Sequence, residues 1–204
     1  MKKCEKPSAG NAHMHKTSFE DLVARFEGED RQIWQKPEAV IARLGDLSDK
    51  AVIDLGAGSG YFTFRMATKA KNVTALDYDA RFIEFLEERK ERENEVRAKN
   101  VKIRLVDESN PALQENAADV VLTVNTYHHF KDRVDYLKKI RAGIKENGRF
   151  LIIDFRPGEL PFGPPEHIKV QPEIIQKELL QAGFAKTVVD LDLLPHQMLI
   201  EAFI

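Results

Sequence analysis

The first regular rhythm of apolar residues along the chain has the helical period. Phe19, Leu22, Val23 and Phe26 recur at i, i+3, i+4 and i+7, one face of a helix. Ser18 suits its N-cap, with Asp21 in capping-box position, and Gly28 closes it. Pro37, a favourable first-turn residue, predicts a second helix carrying Val40, Ile41 and Leu44 up to Gly45. From residue 50 short apolar runs alternate with amphipathic stretches. Strands are expected over Ala51 to Leu55, Asn72 to Leu76, Val101 to Val106, Asp119 to Val124 and, after an Asn147-Gly148 turn, Arg149 to Phe155. Helices are expected from Tyr61 to Lys69, from Asp79 to about Lys99, through Val134, Leu137, Ile140 and Ile144, and from Pro172 to Gly183. In the long helix Phe82, Ile83, Phe85 and Leu86 supply the buried face. Its charged remainder reads as a solvated surface with pairs such as Glu88–Arg92, Arg89–Glu93 and Glu93–Arg97.

Two final strands, about Lys186 to Asp192 and Gln197 to Phe203, are joined by Leu193-Leu194-Pro195-His196. A link so short forces them antiparallel, because a parallel pair needs a long crossover. The pattern as a whole implies an α/β, doubly wound, seven-stranded sheet, mostly parallel with an antiparallel last strand, and helices on both faces. Ligands of such sheets sit at the carboxyl ends of the strands, where the strand order reverses. Three regions follow: a polar leader over 1–16 that reads as disordered, a helical cap over 17–49 and the sheet domain over 50–204.

Composition narrows the classes. The 204 residues are 43% hydrophobic and 31% charged, ordinary for a globular chain. The 31 Lys and Arg nearly balance 33 Asp and Glu, so a net charge of -2 gives no electrostatic reason to expect a nucleic acid or membrane surface as partner. No apolar run approaches the roughly 20 residues that span a bilayer. One cysteine, Cys4, excludes a disulfide framework and a four-cysteine zinc site. His13 and His15 share the polar leader with Cys4, where no ordered scaffold sets ligand geometry. The first four residues hold no apolar signal segment, so a cytoplasmic protein is expected. The competing reading is a trimmed export signal with Cys4 as a former lipid-attachment site.

Chemistry concentrates at the strand ends. Asp54-Leu55-Gly56-Ala57-Gly58-Ser59-Gly60 runs from strand through turn towards a helix. A dinucleotide turn, G-x-G-x-x-G, would place its third glycine where Tyr61 stands. Asp54 puts a carboxylate beside the turn, which suits a ligand bearing an ammonium or sulfonium group. Asp77 ends the second strand and can accept both hydroxyls of a ribose. Asp107 ends the third and can accept from an exocyclic amine such as that of adenine. Asn125 ends the fourth. Any one of these could be a helix cap; all four with the glycine turn are harder to explain that way.

On these residues the chain resembles the class I S-adenosylmethionine-dependent methyltransferases. Asp54 to Gly60 is similar to the family's first motif. Asp77 matches its ribose-binding acid and Asp107 the acid beside the adenine. Asp119 to Asn125 matches the fourth-strand motif, and Asn147-Gly148-Arg149-Phe150-Leu151 resembles the turn into the fifth. The likeness covers about residues 50 to 204 and is nearest a bacterial branch acting on quinone rings and small molecules. It implies a Rossmann-like methyltransferase fold and S-adenosyl-L-methionine as cofactor, with S-adenosyl-L-homocysteine as product. The expected cofactor contacts are Asp54, Gly56, Ala57, Gly58, Gly60, Asp77, Tyr78, Asp107, Glu108 and Asn125.

Catalytic candidates follow the fourth strand. His128 and His129 lie at the mouth where a methyl group would be presented, and one could act as base if the nucleophile carries a proton. Tyr127 could orient the acceptor. Trp34 and Phe26 could close over the cofactor. The Pro- and Gly-rich stretch Arg156 to His167 is expected to wall the acceptor pocket; His196, in the last connection, could lie at the rim or have no role there. Asp154 and Asp132 make no recognisable ligand set, so no catalytic metal is expected. Asn-Thr-Tyr-His stands where an amino-methylating enzyme of nucleic acids would carry N/D-P-P-Y/F. A small organic acceptor remains, with O, N or C as the methylated atom. Two other readings stay open: a non-catalytic module binding the same cofactor, and an NAD-dependent oxidoreductase, against which Tyr61 counts. Nothing in the pattern separates a monomer from a homodimer.

Overall fold

In the computed structural model, which describes residues 17–93 and 98–204, three short helices precede the first strand: α1 (Phe19–Phe26), α2 (Arg31–Gln35) and α3 (Pro37–Arg43). Ser18 caps α1, its hydroxyl accepting from the Asp21 N–H at 3.1 Å. The polar leader, with Cys4, His13 and His15, lies outside the described residues, as does Arg97 of the expected Glu93–Arg97 pair. The sequence pattern missed α2, because that helix inverts the usual polarity: Arg31 and Gln35 are buried while Ile33 is exposed.

Then follow β1 (Ala51–Leu55), α4 (Thr63–Ala67), β2 (Asn72–Asp77), α5 (Ala80–Arg92), β3 (Val101–Leu105), β4 (Ala118–Val124), α6 (Arg133–Gly143), β5 (Ile144–Phe155), α7 (Pro172–Gln181), β6 (Lys186–Asp190) and β7 (Gln197–Phe203). The seven strands lie in the order β3-β2-β1-β4-β5-β7-β6. Only β7 runs against the rest, pairing antiparallel with both β5 and β6. This is the doubly wound sheet expected from the sequence. One apolar layer is built on Val52, Val73, Leu122 and Leu151, the other on Ile53, Val121, Phe150 and Ile200. Residues alternate between the two because successive strand side chains point to opposite faces.

Three local expectations are corrected. The strand β5 starts at Ile144, so Asn147-Gly148 is no turn between elements; the pairing shifts from Ala118↔Ile144 to Val120↔Arg149, and residues 145–148 form the irregularity. The helix after the glycine turn begins only at Thr63, since Gly60 at φ 81° still belongs to the turn. The charged face of α5 is not merely solvated. Arg89 reaches back to α1 and the glycine turn, donating to Glu27 Oε1 at 2.7 Å and to the Ser59 carbonyl at 2.9 Å. Arg92 meets the backbone carbonyl of Glu88, not its carboxylate.

Helix α3 is tied to the sheet by a buried ion cluster. Glu201 on β7, 4% exposed, accepts from Arg43 of α3 at 2.6 Å and from Arg149 of β5 at 3.1 Å, and Arg149 also donates to the Leu44 carbonyl. Removing the carboxylate charge strands two guanidinium groups. Glu201→Gln is expected to lower stability by about 1–3 kcal/mol in urea unfolding, whereas Arg43→Ala, at the exposed end of the cluster, costs less than about 1 kcal/mol.

Candidate active site

Strand β1 pairs in parallel with β2 on one side and β4 on the other. Chain connections leave in opposite directions from these neighbours, so a crevice opens above their carboxyl ends. A cavity of about 710 Å³ occupies it. Its floor is the turn Leu55 to Ser59; its walls include Tyr78, Glu108, Asn125, His128 and His129, with Phe26, Arg31 and Trp34 of the N-terminal helices. The loop after β5 contributes Phe162, Gly163 and Pro164, and so walls the cavity as expected.

Asp77 organises the turn. Its buried carboxylate accepts from the Gly58 N–H at 2.8 Å and the Asp79 N–H at 3.0 Å. A carboxylate has about four acceptor positions, so capacity remains for a pair of hydroxyls from the cavity. Burial pushes Asp77 up to about 6, with the backbone hydrogen bonds from Asp79 and Gly58 opposing it. Gly58 has φ 52°, and a Cβ there would stand 3.1 Å from the Phe26 ring, which narrows the space over the turn.

The structure brings Gly56, Ala57, Gly58, Asp77, Tyr78, Glu108, Asn125, His128 and His129 to one cavity and leaves four other expected site residues outside its lining. Asp54 sits beneath the turn, its Oδ2 accepting from the Thr63 hydroxyl at 2.6 Å; burial raises it to about 6, against Thr63 and Arg31. Gly60 packs on Leu86 and Phe64. Asp107 is exposed and closes a local turn, accepting from the Ser109 N–H and hydroxyl at 2.8 and 2.6 Å. Tyr127 is fully buried, with its hydroxyl on Glu178 at 2.5 Å. Its hydroxyl is therefore committed behind the site rather than presented to an acceptor.

Tyr127, His128 and His129 form one 3₁₀ turn, so the three side chains fan out in different directions. His128 points its Nδ1 at Asp154, 2.8 Å from Oδ1 and 3.0 Å from Oδ2, and its backbone N–H donates to the same carboxylate at 3.1 Å. Both side chains are buried. Burial alone would raise Asp154; the His128 ring and the N–H groups of Phe155 and His128 hold it below the usual carboxylate range. An ionised partner at Nδ1 fixes the proton there and leaves Nε2 as the basic nitrogen. Asp154 was absent from the sequence-based site. Its only signal was an acid at the end of the strand beside β4.

A second missed group is Arg31. It is 8% exposed, lines the cavity and lies 4.1 Å from the centre of the Tyr61 ring, which Arg65 covers at 3.8 Å. Burial lowers it to about 10, opposed by Tyr61 and Glu27. From Arg31 a relay links two residues of the cavity wall: Arg31 donates to Gln35, Gln35 to Gln197 at 3.0 Å, and Gln197 to Asn125. Asn125 itself holds a left-handed backbone at φ 56°.

With that geometry in view, the comparisons with known proteins are specific. A sequence model of the family described as a methyltransferase domain matches residues 46–192. The chain belongs to this family and is a class I S-adenosylmethionine-dependent methyltransferase domain. It is 29% identical over 121 residues, 58% of its length, to a tRNA U34 carboxymethyltransferase of Actinobacillus succinogenes, and the match spans only 36% of that relative. A solved methyltransferase from Aquifex aeolicus superposes with TM-score 0.80 at 19% identity, covering 91% of this chain and 98% of that one. Phosphoethanolamine N-methyltransferase 2 of Haemonchus contortus, solved with phosphomonomethylethanolamine and S-adenosylhomocysteine, has TM-score 0.65 at 20% identity over 85% of this chain and 46% of that one. The cofactor is S-adenosylmethionine. An NAD-dependent oxidoreductase is thereby set aside. Among the described residues no cluster of three metal-ligating side chains occurs, and no helix is long and apolar enough to cross a membrane.

The residues fit this cofactor. A buried acid at the end of β2 keeps acceptor capacity towards the cavity, and the buried Tyr78 hydroxyl beside it has no hydrogen-bond partner in the structure. Hydroxyl donors favour the ionised form of Asp77. Affinity for S-adenosylhomocysteine should therefore fall as pH drops through about 6, by up to about tenfold per pH unit below it. Calorimetry between pH 5 and 8 checks this, and Asp77→Asn should bind more weakly with a flatter pH dependence.

Proposed function

We propose that the chain methylates a small organic acceptor through a protonated oxygen or nitrogen, with His128 as general base and Asp154 as the group that orients it. The bound cofactor supplies an electrophilic methyl carbon on a sulfonium. In this reading Asp77 accepts the ribose hydroxyls, Tyr78 and Glu108 border the adenine, and the turn Gly56 to Gly58 with Asn125 borders the methionine part. Asp54, Gly60 and Asp107 support this wall from outside the cavity. Helices α1 and α2 exclude water from above.

One observation carries the acceptor chemistry: an imidazole held by a buried carboxylate stands in the wall of the cofactor cavity. Displacement at a methyl carbon needs alignment within about 3–3.5 Å, which positioning alone supplies for a nucleophile without a proton. A buried His–Asp pair adds something only when a proton must leave. The partner keeps Nδ1 protonated, so Nε2 accepts the acceptor's proton and the resulting imidazolium is stabilised by Asp154. Adjacent His129 lies tilted against His128 with ring centres 4.2 Å apart and also lines the cavity.

Screening acceptors with labelled methyl donor gives the substrate for the test. Asp154→Asn should then lower kcat by about 10²–10⁴-fold with S-adenosylhomocysteine affinity within about twofold of the parent. His128→Gly should lose activity and regain part of it in added imidazole. Full activity in both variants, with an unchanged pH–rate profile, would remove His128 from the chemistry. Cofactor binding without transfer to any acceptor would leave a binding module.

A further inference from the structure

The acceptor end of the cavity has a chemistry of its own. Trp34 of α2, Phe155 at the end of β5 and Phe162 in the following loop all line it. Their rings touch one another, with centres 4.8 Å apart for Trp34–Phe162, 6.0 Å for Trp34–Phe155 and 6.1 Å for Phe155–Phe162. Gly163, at φ 116°, lets the loop lie flat on Phe155; a Cβ there would come within 2.8 Å of that ring. Pro164 and Ile168 extend the apolar surface. The same cavity is lined by His128, whose ring is held from behind by Asp154.

From this juxtaposition we infer that the acceptor is a planar aromatic or enolic hydroxyl compound without a phosphate group. The inference rests on the methyl-transfer reading above and narrows its acceptor.

Charge excludes the phosphorylated alternative. Among the described residues, the cavity's lysine and arginine lining consists of Arg25 and Arg31. Arg25 stands on α1, which packs through Phe19 and Phe26 on Phe82. Arg31 is held by Gln35, the Phe26 carbonyl and the Tyr61 ring. The cations flanking the acceptor loop face backbone carbonyls: Lys169 donates to the Gly158 carbonyl at 2.6 Å, and Arg156 to the carbonyls of Leu191 and Pro195 in the β6–β7 connection. Among the described residues, a phosphate at these rings would shed water beside Arg31, Lys169 and Arg156, whose charged groups already engage carbonyls, Gln35 or the Tyr61 ring.

The rings and the base together favour a hydroxyl on a ring. Stacked or edge-on contact rewards a flat π-surface. An aromatic wall would also attract an ammonium, but it would stabilise the protonated, non-nucleophilic form of an amine. A phenolic hydroxyl, with pKa about 10, is acidic enough to give up its proton to a neighbouring base as the new bond forms. In the transfer, that proton passes to His128 Nε2 while the oxygen lone pair forms the new O–C bond. The S–C bond breaks with its pair left on sulfur, the sulfonium becomes a thioether, and one proton leaves to solvent.

Trp34 is the chain's single tryptophan, so its indole N–H gives one assignable resonance. The full chain, saturated with S-adenosylhomocysteine so that no turnover occurs, is titrated with 2-naphthol, its saturated analogue 2-decalol, and phosphoethanolamine. We expect 2-naphthol to shift the Trp34 resonance and to bind at least about fivefold more tightly than 2-decalol, with no saturable binding of phosphoethanolamine. Phe162→Ala, or Phe162→Leu should the first not fold, should weaken 2-naphthol by about fivefold and leave S-adenosylhomocysteine binding within about twofold. Equal binding of the two ring systems, absence of 2-naphthol binding, saturable phosphoethanolamine binding or an unaffected Phe162 variant overturns the inference. Because this is binding without chemistry, ring selectivity that persists in His128→Ala separates it from any failure of the base assignment.

Discussion

The parallel pairing of β1 with β4 is the constraint on which the rest depends. Val52↔Val120 through Leu55↔Thr123 lie side by side, and the Thr123 hydroxyl donates to the Leu55 carbonyl at 2.8 Å, where β1 gives way to the glycine turn. Connections depart from this seam towards opposite edges of the sheet, so no crossover helix fills the space above the ends of β1 and β4. The crevice is thus a product of strand order. Asp77 ends β2, Asn125 directly follows β4 and Asp154 is the penultimate residue of β5, so the register of the buried sheet fixes where each stands.

Such a rim concentrates acids in a region shielded from water. Two carboxyl groups, Asp54 and Asp77, are pushed up to about 6 by burial, and Asp77 adds to the rise of Asp54. The ligand-free site is thereby electrostatically tense at neutral pH. Relative to the unfolded chain, a raised carboxyl pKa contributes stability below about 4 that is lost as pH rises through about 6. Hydroxyl donors from a ligand relieve the Asp77 share. Asp154 is equally buried yet goes the other way, since the His128 ring and two N–H donors face it. One rim therefore carries both an acid that profits from a ligand and an acid already satisfied by its base.

Much of this was legible in the chain. Apolar periodicity located every strand of the sheet, and the short last connection gave the reversed β7, because burial on both faces and loop length are local properties. What escaped depends on contacts distant in sequence. Helix α2 is stabilised by polar residues turned inward, Arg31 towards Tyr61 and Gln35 towards Gln197, so its pattern contradicts the amphipathic rule. Asp154 meets His128 from 26 residues away. Which of Tyr127, His128 and His129 faces the cavity is decided by a single 3₁₀ turn and by Glu178 behind it, neither of which the three letters reveal. Arg89 looked like one charge among many on α5 until Glu27 and Ser59 gave it a destination.

The relay from Arg31 through Gln35 and Gln197 to Asn125 has an evolutionary consequence. Arg31, Gln35 and Gln197 are buried and each is bonded to the next, so replacing Gln35 or Gln197 removes a partner from its neighbours. The four positions are therefore not independently variable. Sequences that depart from this set are expected to change it together, as a block, and a substitution harmless in one background becomes damaging in another. The N-terminal helices and the strand-end crevice, separate in the chain, are in this sense a single heritable unit.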